Sequence, residues 1–85
     1  MNKKVYTILD VKGRSIAPLV LAVSQDDIIR SVRDALRTDN LMSRYPADFE
    51  LLELGDIDIT SGVMTLLPES PSVVCSLADL VDEES

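Results

Sequence analysis

A tyrosine flanked by lysines is the first arrangement in this sequence that could bind a ligand. Lys4, Tyr6 and Lys12 fall on one face of a predicted strand, and Arg14 follows directly after it. Proteins that bind single-stranded nucleic acid stack bases on such rings, at about 1–3 kcal/mol per base, while nearby cations hold the backbone. The pattern therefore predicts a surface for single-stranded nucleic acid. The alternative is that Tyr6 fills the core or a dimer contact, because the chain has only three aromatic residues.

Three arginines form a second basic group, on a predicted helix. Arg30, Arg33 and Arg37 are spaced i, i+3 and i+7, which places them in one stripe along an exposed helix side. Such a stripe can contact phosphates. The alternative is a solvated face in which Asp26 and Asp34, each four residues from Arg30, neutralise its charge.

The charges of the chain are divided along its length. All eight Lys and Arg residues precede Tyr45, so residues 1–44 carry a net charge of +3 and residues 45–85 one of −10, which gives −7 in total. A basic half beside an acidic half indicates a surface for polyanions next to a separate acidic surface or tail. The simpler interpretation is that an acidic chain stays soluble.

Residue types suited to catalysis or metal binding are scarce. The chain has no His and a single cysteine, Cys75, so zinc, haem and disulfide chemistry have no basis. Asp56, Asp58 and Thr60 alternate oxygen ligands as Ca²⁺ prefers, but a hairpin turn explains the same pattern more simply. We expect no enzyme activity, no cofactor and no metal. We also expect a soluble, cytoplasmic protein, because no segment is apolar enough for a membrane span or a signal peptide.

Local signals predict the elements of the first half. Pro18 lies in the apolar run "IAPLVLAV" and marks a strand start, an edge or a bulge. Ser24, with Asp27 three residues later, predicts the start of a helix over residues 25–38. The helix is amphipathic, with an apolar stripe formed by Ile28, Ile29, Val32, Ala35 and Leu36.

The expected fold class is α+β, with a four-stranded, mainly antiparallel sheet and one helix in the order β-β-α-β-β. Residues 1–70 are expected to form one domain, followed by an acidic C-terminal tail or a short extra element at residues 71–85. The strands are predicted by alternation and by apolar runs at residues 5–12, 16–23, 48–54 and 63–67.

Several residues around the third strand are predicted to shape the fold. The residue before Pro46 leaves the helical region, which ends the connector, and the next strand begins at Asp48. Glycines and short polar side chains predict a turn over residues 55–62. The fold and turn motif consists of Pro46, Asp48, Phe49, Gly55, Asp58 and Gly62.

The apolar runs predict more sheet surface than one helix covers. Residues 16–23 and 63–67 are apolar on both faces, so the second face of the sheet needs a cover. We expect a homodimer or a larger assembly to provide it. At the C-terminus, Leu77, Leu80 and Val81 share one potential helix face above acidic residues. This end is expected to remain disordered, to compete for the basic surface, or to dock on a replication or capsid protein.

Four motifs in register resemble a known viral family. They are "VYTILDVK", the apolar stretch "APLVLAV", the helix "DIIRSVRDAL" and "YPADFELLELGDIDITSGVM". Together they cover about residues 4–66, and they resemble the small nonstructural protein of gokushoviruses and related microviruses, which are phages with single-stranded DNA. The resemblance marks Tyr6, Lys12, Arg30, Pro46, Asp48, Phe49, Leu51, Gly55, Asp58 and Gly62.

The resemblance implies a function for the chain. Proteins of this family are described as DNA-binding and nonstructural, so the chain is expected in the host bacterial cytoplasm and not in the virion. The implied role is to bind single-stranded DNA non-specifically and to assist viral genome synthesis or packaging into procapsids. The alternative is an oligomeric protein-interaction module, viral or host-directed, without useful DNA affinity, which the negative net charge favours.

Overall fold

The structure is a computed structural model, and it describes residues 1–81. No helix among these residues is long and apolar enough to cross a membrane. Two short 3-10 helices, at Pro46–Asp48 and Leu77–Leu80, flank the C-terminal strands. The remaining elements are β1 (Asn2–Asp10), β2 (Ser15–Ile16), β3 (Val20–Ala22), α1 (Gln25–Leu36), α2 (Leu41–Arg44), β4 (Phe49–Asp58), β5 (Met64–Leu66) and β6 (Ser72–Ser76).

The sheet is antiparallel and is built on two long central strands. β1 pairs with β4 along its whole length, from Asn2 opposite Asp58 to Asp10 opposite Phe49. β2 and β3 both pair with the outer side of β1, and β5 and β6 both pair with the outer side of β4. The predicted α+β class, with an antiparallel sheet and one main helix, is confirmed. Residues 1–81 form six strands rather than the four predicted, because Pro18 separates β2 from β3 and because residues 72–76 add β6.

Capping residues set the limits of both helices. The Ser24 hydroxyl accepts a hydrogen bond from the Asp27 amide at 3.3 Å, which starts α1 where the sequence predicts it. α1 ends at Leu36, slightly before the predicted end. Asn40 then begins α2 through a capping box with Ser43, in which each side chain accepts a hydrogen bond from the other residue's backbone amide.

The core lies between one face of the sheet, α1 and the second 3-10 helix. It contains Tyr6, Ala22, Ile28, Val32, Phe49, Leu51, Leu77 and Leu80. Tyr6 shares a strand face with Lys4 as predicted, but α1 covers this face, so the interpretation of Tyr6 as a base-stacking ring is wrong and the alternative that it fills the core is confirmed. Tyr6 is 0% exposed.

The predicted turn over residues 55–62 is shorter than expected. β4 continues to Asp58, so Gly55 lies inside the strand, opposite Val5 and Leu66, rather than in a turn. A Cβ atom on Gly55 would overlap the Thr65 carbonyl oxygen and would lie 2.8 Å from the Leu66 Cα. Only Gly62 adopts a left-handed backbone, at φ 80°, among the glycines of residues 1–81. The register between the strands therefore requires Gly55, and the turn itself requires Gly62.

The C-terminal segment contributes to the core. β6 pairs with β4, and the following 3-10 helix buries Leu77 and Leu80, which are 0% and 6% exposed. The expectation that these two leucines form a face for a partner is therefore wrong, because they pack inside their own chain. The acidic end at residues 82–85, to which the partner prediction also applied, lies outside the described residues.

The sequence predicted that the apolar run at residues 16–23 is covered on both sides, and this prediction is wrong. Only Ala22 is buried, and Ile16, Val20 and Val23 are exposed. These residues form the outer edge of the sheet, and α1 packs against one face only. The other face of the sheet is left without a covering element among the residues that the structure describes.

Candidate nucleic-acid interface

The side of α1 that faces solvent carries the three predicted arginines. Ile28 and Val32 point into the core, so the helical repeat directs Arg30, Arg33 and Arg37 outward, and all three are exposed. Together with Asp26, Ile29 and Asp34, they line a shallow surface groove. Ile29, which the sequence assigns to the apolar stripe of the helix, packs partly against the core and also lines this groove.

The ion pairing in this groove differs from the predicted one. Asp34 Oδ1 lies 3.3 Å from Arg37 Nη1, and both side chains are well exposed. The expected pairs of Arg30 with Asp26 and Asp34 are not formed in the structure. Arg30 and Arg33 have no ion-pair partner among residues 1–81. Their guanidinium groups therefore remain available to an anion from solution.

Lys4 in β1 and Lys12 in the turn after β1, in contrast, lie beside carboxylates. Lys4 Nζ is 3.6 Å from Glu53 Oε2, and Lys12 Nζ is 3.7 Å from Asp48 Oδ2. Glu53 and Asp48 are far from the lysines in sequence, so only the pairing of β1 with β4 reveals these contacts. Because a carboxylate partly balances the charge of each lysine, Lys4 and Lys12 form a weaker anion site than the arginines of α1.

The structure does not bring these two lysines into one patch. Lys4 and Lys12 are eight residues apart, and Lys4 lies near the start of β1 whereas Lys12 lies in the turn after its end. Such a separation corresponds to roughly 25 Å along an extended chain. Arg14 is exposed in the turn after β1, with a left-handed backbone at φ 55°. The predicted binding residues therefore form a helix group and a dispersed group around β1.

Tyr6 belongs to neither group. Burial, together with the nearby carboxylates of Glu53 and Asp56, raises the pKa of Tyr6 to about 12. Its hydroxyl has no hydrogen-bond partner among the residues that the structure describes. The ring is inside the core, so it offers no face on which a base could stack.

Hydrogen bonding within the turn explains the position of Asp58, and burial explains the protonation state of Cys75. The Thr60 amide donates a hydrogen bond to Asp58 Oδ1 at 2.9 Å, and this bond lowers the pKa of Asp58. Residues 1–81 contain no group of three or more His, Cys, Asp or Glu side chains that could hold a metal ion. Burial and the charge of Asp79 raise the pKa of the Cys75 thiol, while Arg33 acts in the opposite direction. The thiol therefore stays protonated near neutral pH.

The fold and the site define a small α+β protein with a helix on one side of an antiparallel sheet and an arginine face on that helix. The chain belongs to the phage ORF5 protein family, whose model matches residues 3–80. It is therefore a phage protein, as the resemblance of its motifs to a viral family predicted. No curated protein and no solved structure is significantly similar to it.

Proposed function

We propose that this phage protein binds single-stranded DNA non-specifically through the solvent-facing side of α1, and thereby assists viral genome synthesis or packaging into procapsids. Within the phage proteins, its motifs favour the nonstructural proteins of gokushoviruses and related microviruses. In this proposal it acts in the host bacterial cytoplasm, is absent from the virion, and is not an enzyme. The observation that carries the proposal is the exposed arginine groove on α1.

The chemistry of the groove supports contacts to the DNA backbone. Guanidinium groups bind phosphates with paired hydrogen bonds, and Arg30 and Arg33 have no carboxylate partner among residues 1–81. Ile29, which is partly buried against the core, adds apolar surface to the groove. The groove offers charge but no rigid set of donors and acceptors for reading base edges, so binding without sequence preference is expected.

Fluorescence anisotropy of a labelled single strand tests this proposal. With an oligonucleotide of about 30 nucleotides, three phosphate contacts give a slope of about −2 in log K against log salt between about 20 and 150 mM. The single variants Arg30→Glu and Arg33→Glu should each weaken binding, and the double variant should abolish it at both salt concentrations. Arg44→Glu is the matched control, because Arg44 is exposed and already pairs with Asp39 at 2.8 Å.

Two results contradict the proposal. The first is no binding even at the lower salt concentration. The second is an equal loss of affinity in Arg30→Glu, Arg33→Glu and Arg44→Glu, because these variants change the net charge by the same amount and an equal loss reports total charge rather than a specific groove. Circular dichroism of each variant verifies that the chain remains folded.

The second candidate function is a protein-interaction module, viral or host-directed. The net charge of −10 over residues 45–85 favours it, because this charge repels DNA and attracts basic proteins. Its partner would be a replication or capsid protein bound through the acidic C-terminus. Under this candidate, the purified phage partner binds the full chain but not a chain shortened after residue 81, and the labelled oligonucleotide stays unbound.

A further inference from the structure

The face of the sheet opposite α1, which we call the open face, is apolar. Residues directly opposite each other in neighbouring strands share a face. The register therefore places Val5 with Leu21, and Leu52 with Val73, on the side away from the helix. Val5 and Leu52 are buried, but they are not part of the cluster that packs against α1. Around them lie exposed apolar side chains, namely Ile16, Leu21, Met64, Leu66 and Val73.

The exposed apolar area on this face is large for a chain of this size. Leu66 is 60% exposed and Val73 57%. The five exposed side chains form a patch on the order of 500 Å², near the upper limit for monomeric proteins. The total accessible surface is 5709 Å², whereas about 5,000 Å² is expected for a monomer of this mass.

We propose that a second copy of this chain packs on the open face, sheet against sheet. Two such patches bury on the order of 1,000 Å², which reaches the lower limit for a specific interface. The shortest dimension of the chain is 17 Å. This thickness fits one sheet with one helical layer, and a second sheet would complete a central apolar layer.

The charges at the two ends of the open face favour a copy of the same chain over an unrelated partner. Lys3 pairs with Ile57 at one end of this face, and Glu50 pairs with Leu9 at the other. Neither has an ion-pair partner among residues 1–81. They are separated by the length of β1 from Lys3 to Leu9, which is roughly 20 Å. The surface is thus self-complementary when its two ends are exchanged.

This charge arrangement also fixes the orientation of the two copies. A two-fold axis in the interface and perpendicular to the strands sets Lys3 against the partner's Glu50, twice per dimer. An axis parallel to the strands would instead set Lys3 against the partner's Lys3, which is unfavourable. The dimer therefore has antiparallel strands across the interface, with its two α1 helices on opposite outer sides.

Sedimentation analysis of the full chain without DNA tests this inference, which does not rest on the proposed DNA binding. We expect twice the chain mass of 9.3 kDa at concentrations of about 1–100 µM. Leu66→Glu and Val73→Glu should each weaken dimerisation by about tenfold or more. Both side chains are exposed in the single chain, so the fold should persist. Leu41→Glu is the matched control, because Leu41 is exposed on α2, on the other side of the sheet.

A charge exchange tests the orientation. Lys3→Glu and Glu50→Lys should each weaken the dimer, and the double variant should restore it. A mass of 9.3 kDa at every concentration overturns the proposal. A dimer that is not weakened by Leu66→Glu and Val73→Glu also overturns the proposal, because such a dimer uses another surface. A dimer that both single charge variants leave unchanged overturns the proposed orientation.

Discussion

At the scale of single residues, burial decides what Tyr6 and Gly55 do. Tyr6 has the residue type and the lysine neighbours of a base-stacking site, but its ring is 0% exposed in the core. Its hydroxyl is left without a partner among the described residues. Gly55 looks like a turn residue in the sequence, but the close backbone of β5 explains why a side chain does not fit there.

Replacing Tyr6 by Phe tests the cost of the buried hydroxyl. A buried polar group without a partner is unfavourable, so Tyr6→Phe should raise the free energy of unfolding by about 1 kcal/mol near neutral pH. Urea denaturation followed by circular dichroism measures this change. A large loss of stability would contradict the expectation, because it would mean that the hydroxyl makes a favourable hydrogen bond.

At alkaline pH, the stability of Tyr6→Phe should differ from that of the wild-type chain. The pKa of Tyr6 is about 12 in the folded chain and 10.0 in the reference state. Between these values the unfolded chain releases a proton that the folded chain keeps, so stability falls as pH rises. The fall reaches about 3 kcal/mol above pH 12 and should be missing in Tyr6→Phe. Equal alkaline losses in both proteins, measured by urea denaturation from neutral pH upward, would argue against the buried phenol as the cause.

Gly55→Ala should destabilise the fold by about 2–4 kcal/mol, because the new methyl group meets the rigid backbone of Thr65 and Leu66. Gly62→Ala is the comparison. Its Cβ meets no atom within 4 Å, so only the left-handed φ of 80° opposes it, at about 1 kcal/mol. Denaturation midpoints rank the two, and a larger loss at Gly62 would contradict the close approach of β5 to β4.

At the scale of elements, the C-terminal segment supports the packing of α1. β6 extends the sheet beside β4, and the 3-10 helix at Leu77–Leu80 places two leucines in the core that α1 also covers. A 12-residue helix buries few side chains of its own, so these two leucines supply a large part of the apolar contact in a small domain.

Leu77→Ala tests the contribution of this segment. Leu77 is fully buried, so we expect a loss of about 2–5 kcal/mol in the free energy of unfolding. Val81→Ala is the control, because Val81 is 40% exposed and its truncation should change stability by less than about 0.5 kcal/mol. Thermal denaturation of both variants gives the comparison. Similar losses in the two would mean that the segment does not pack as described.

At the scale of the whole molecule, the two sides of the sheet have different properties. One side carries α1 and its arginines, and the other is the open face, where apolar residues are exposed. In the proposed dimer the open faces meet, so the arginine grooves point outward in opposite directions. One dimer would then hold two DNA segments, or two parts of one strand, and the second contact would strengthen the first.

The proposed dimer predicts that thermal stability depends on concentration. The melting temperature should rise with protein concentration in the wild-type chain, because association stabilises the folded state. In Leu66→Glu, which weakens the dimer, the rise should disappear. Differential scanning calorimetry over about a hundredfold range of concentration measures both. A wild-type melting temperature that is independent of concentration would contradict dimer formation in that range.

The sequence by itself determined the local structure. Ser24 and the apolar stripe predict the start and the buried side of α1. Pro18 predicts a strand start, an edge or a bulge, and in the structure the second predicted strand is interrupted there between β2 and β3. These signals depend on capping, proline geometry and periodicity over a few neighbouring residues, so they can be read without the fold. The same signals predicted the antiparallel α+β class and the excess of apolar sheet surface.

The tertiary structure alone decided which side chains remain available for binding. The position of α1 on one face of β1 buries Tyr6. The pairing of β1 with β4 sets Lys4 beside Glu53, and the pairing of β4 with β5 brings Gly55 against β5. Residues 4 and 53 are far apart in the sequence. Their contact depends on the strand register and on one inserted residue in β4, between Glu53 and Gly55, where the pairing shifts. A bulge of this kind moves the following side chains to the opposite face of the sheet, and no local sequence pattern predicts it.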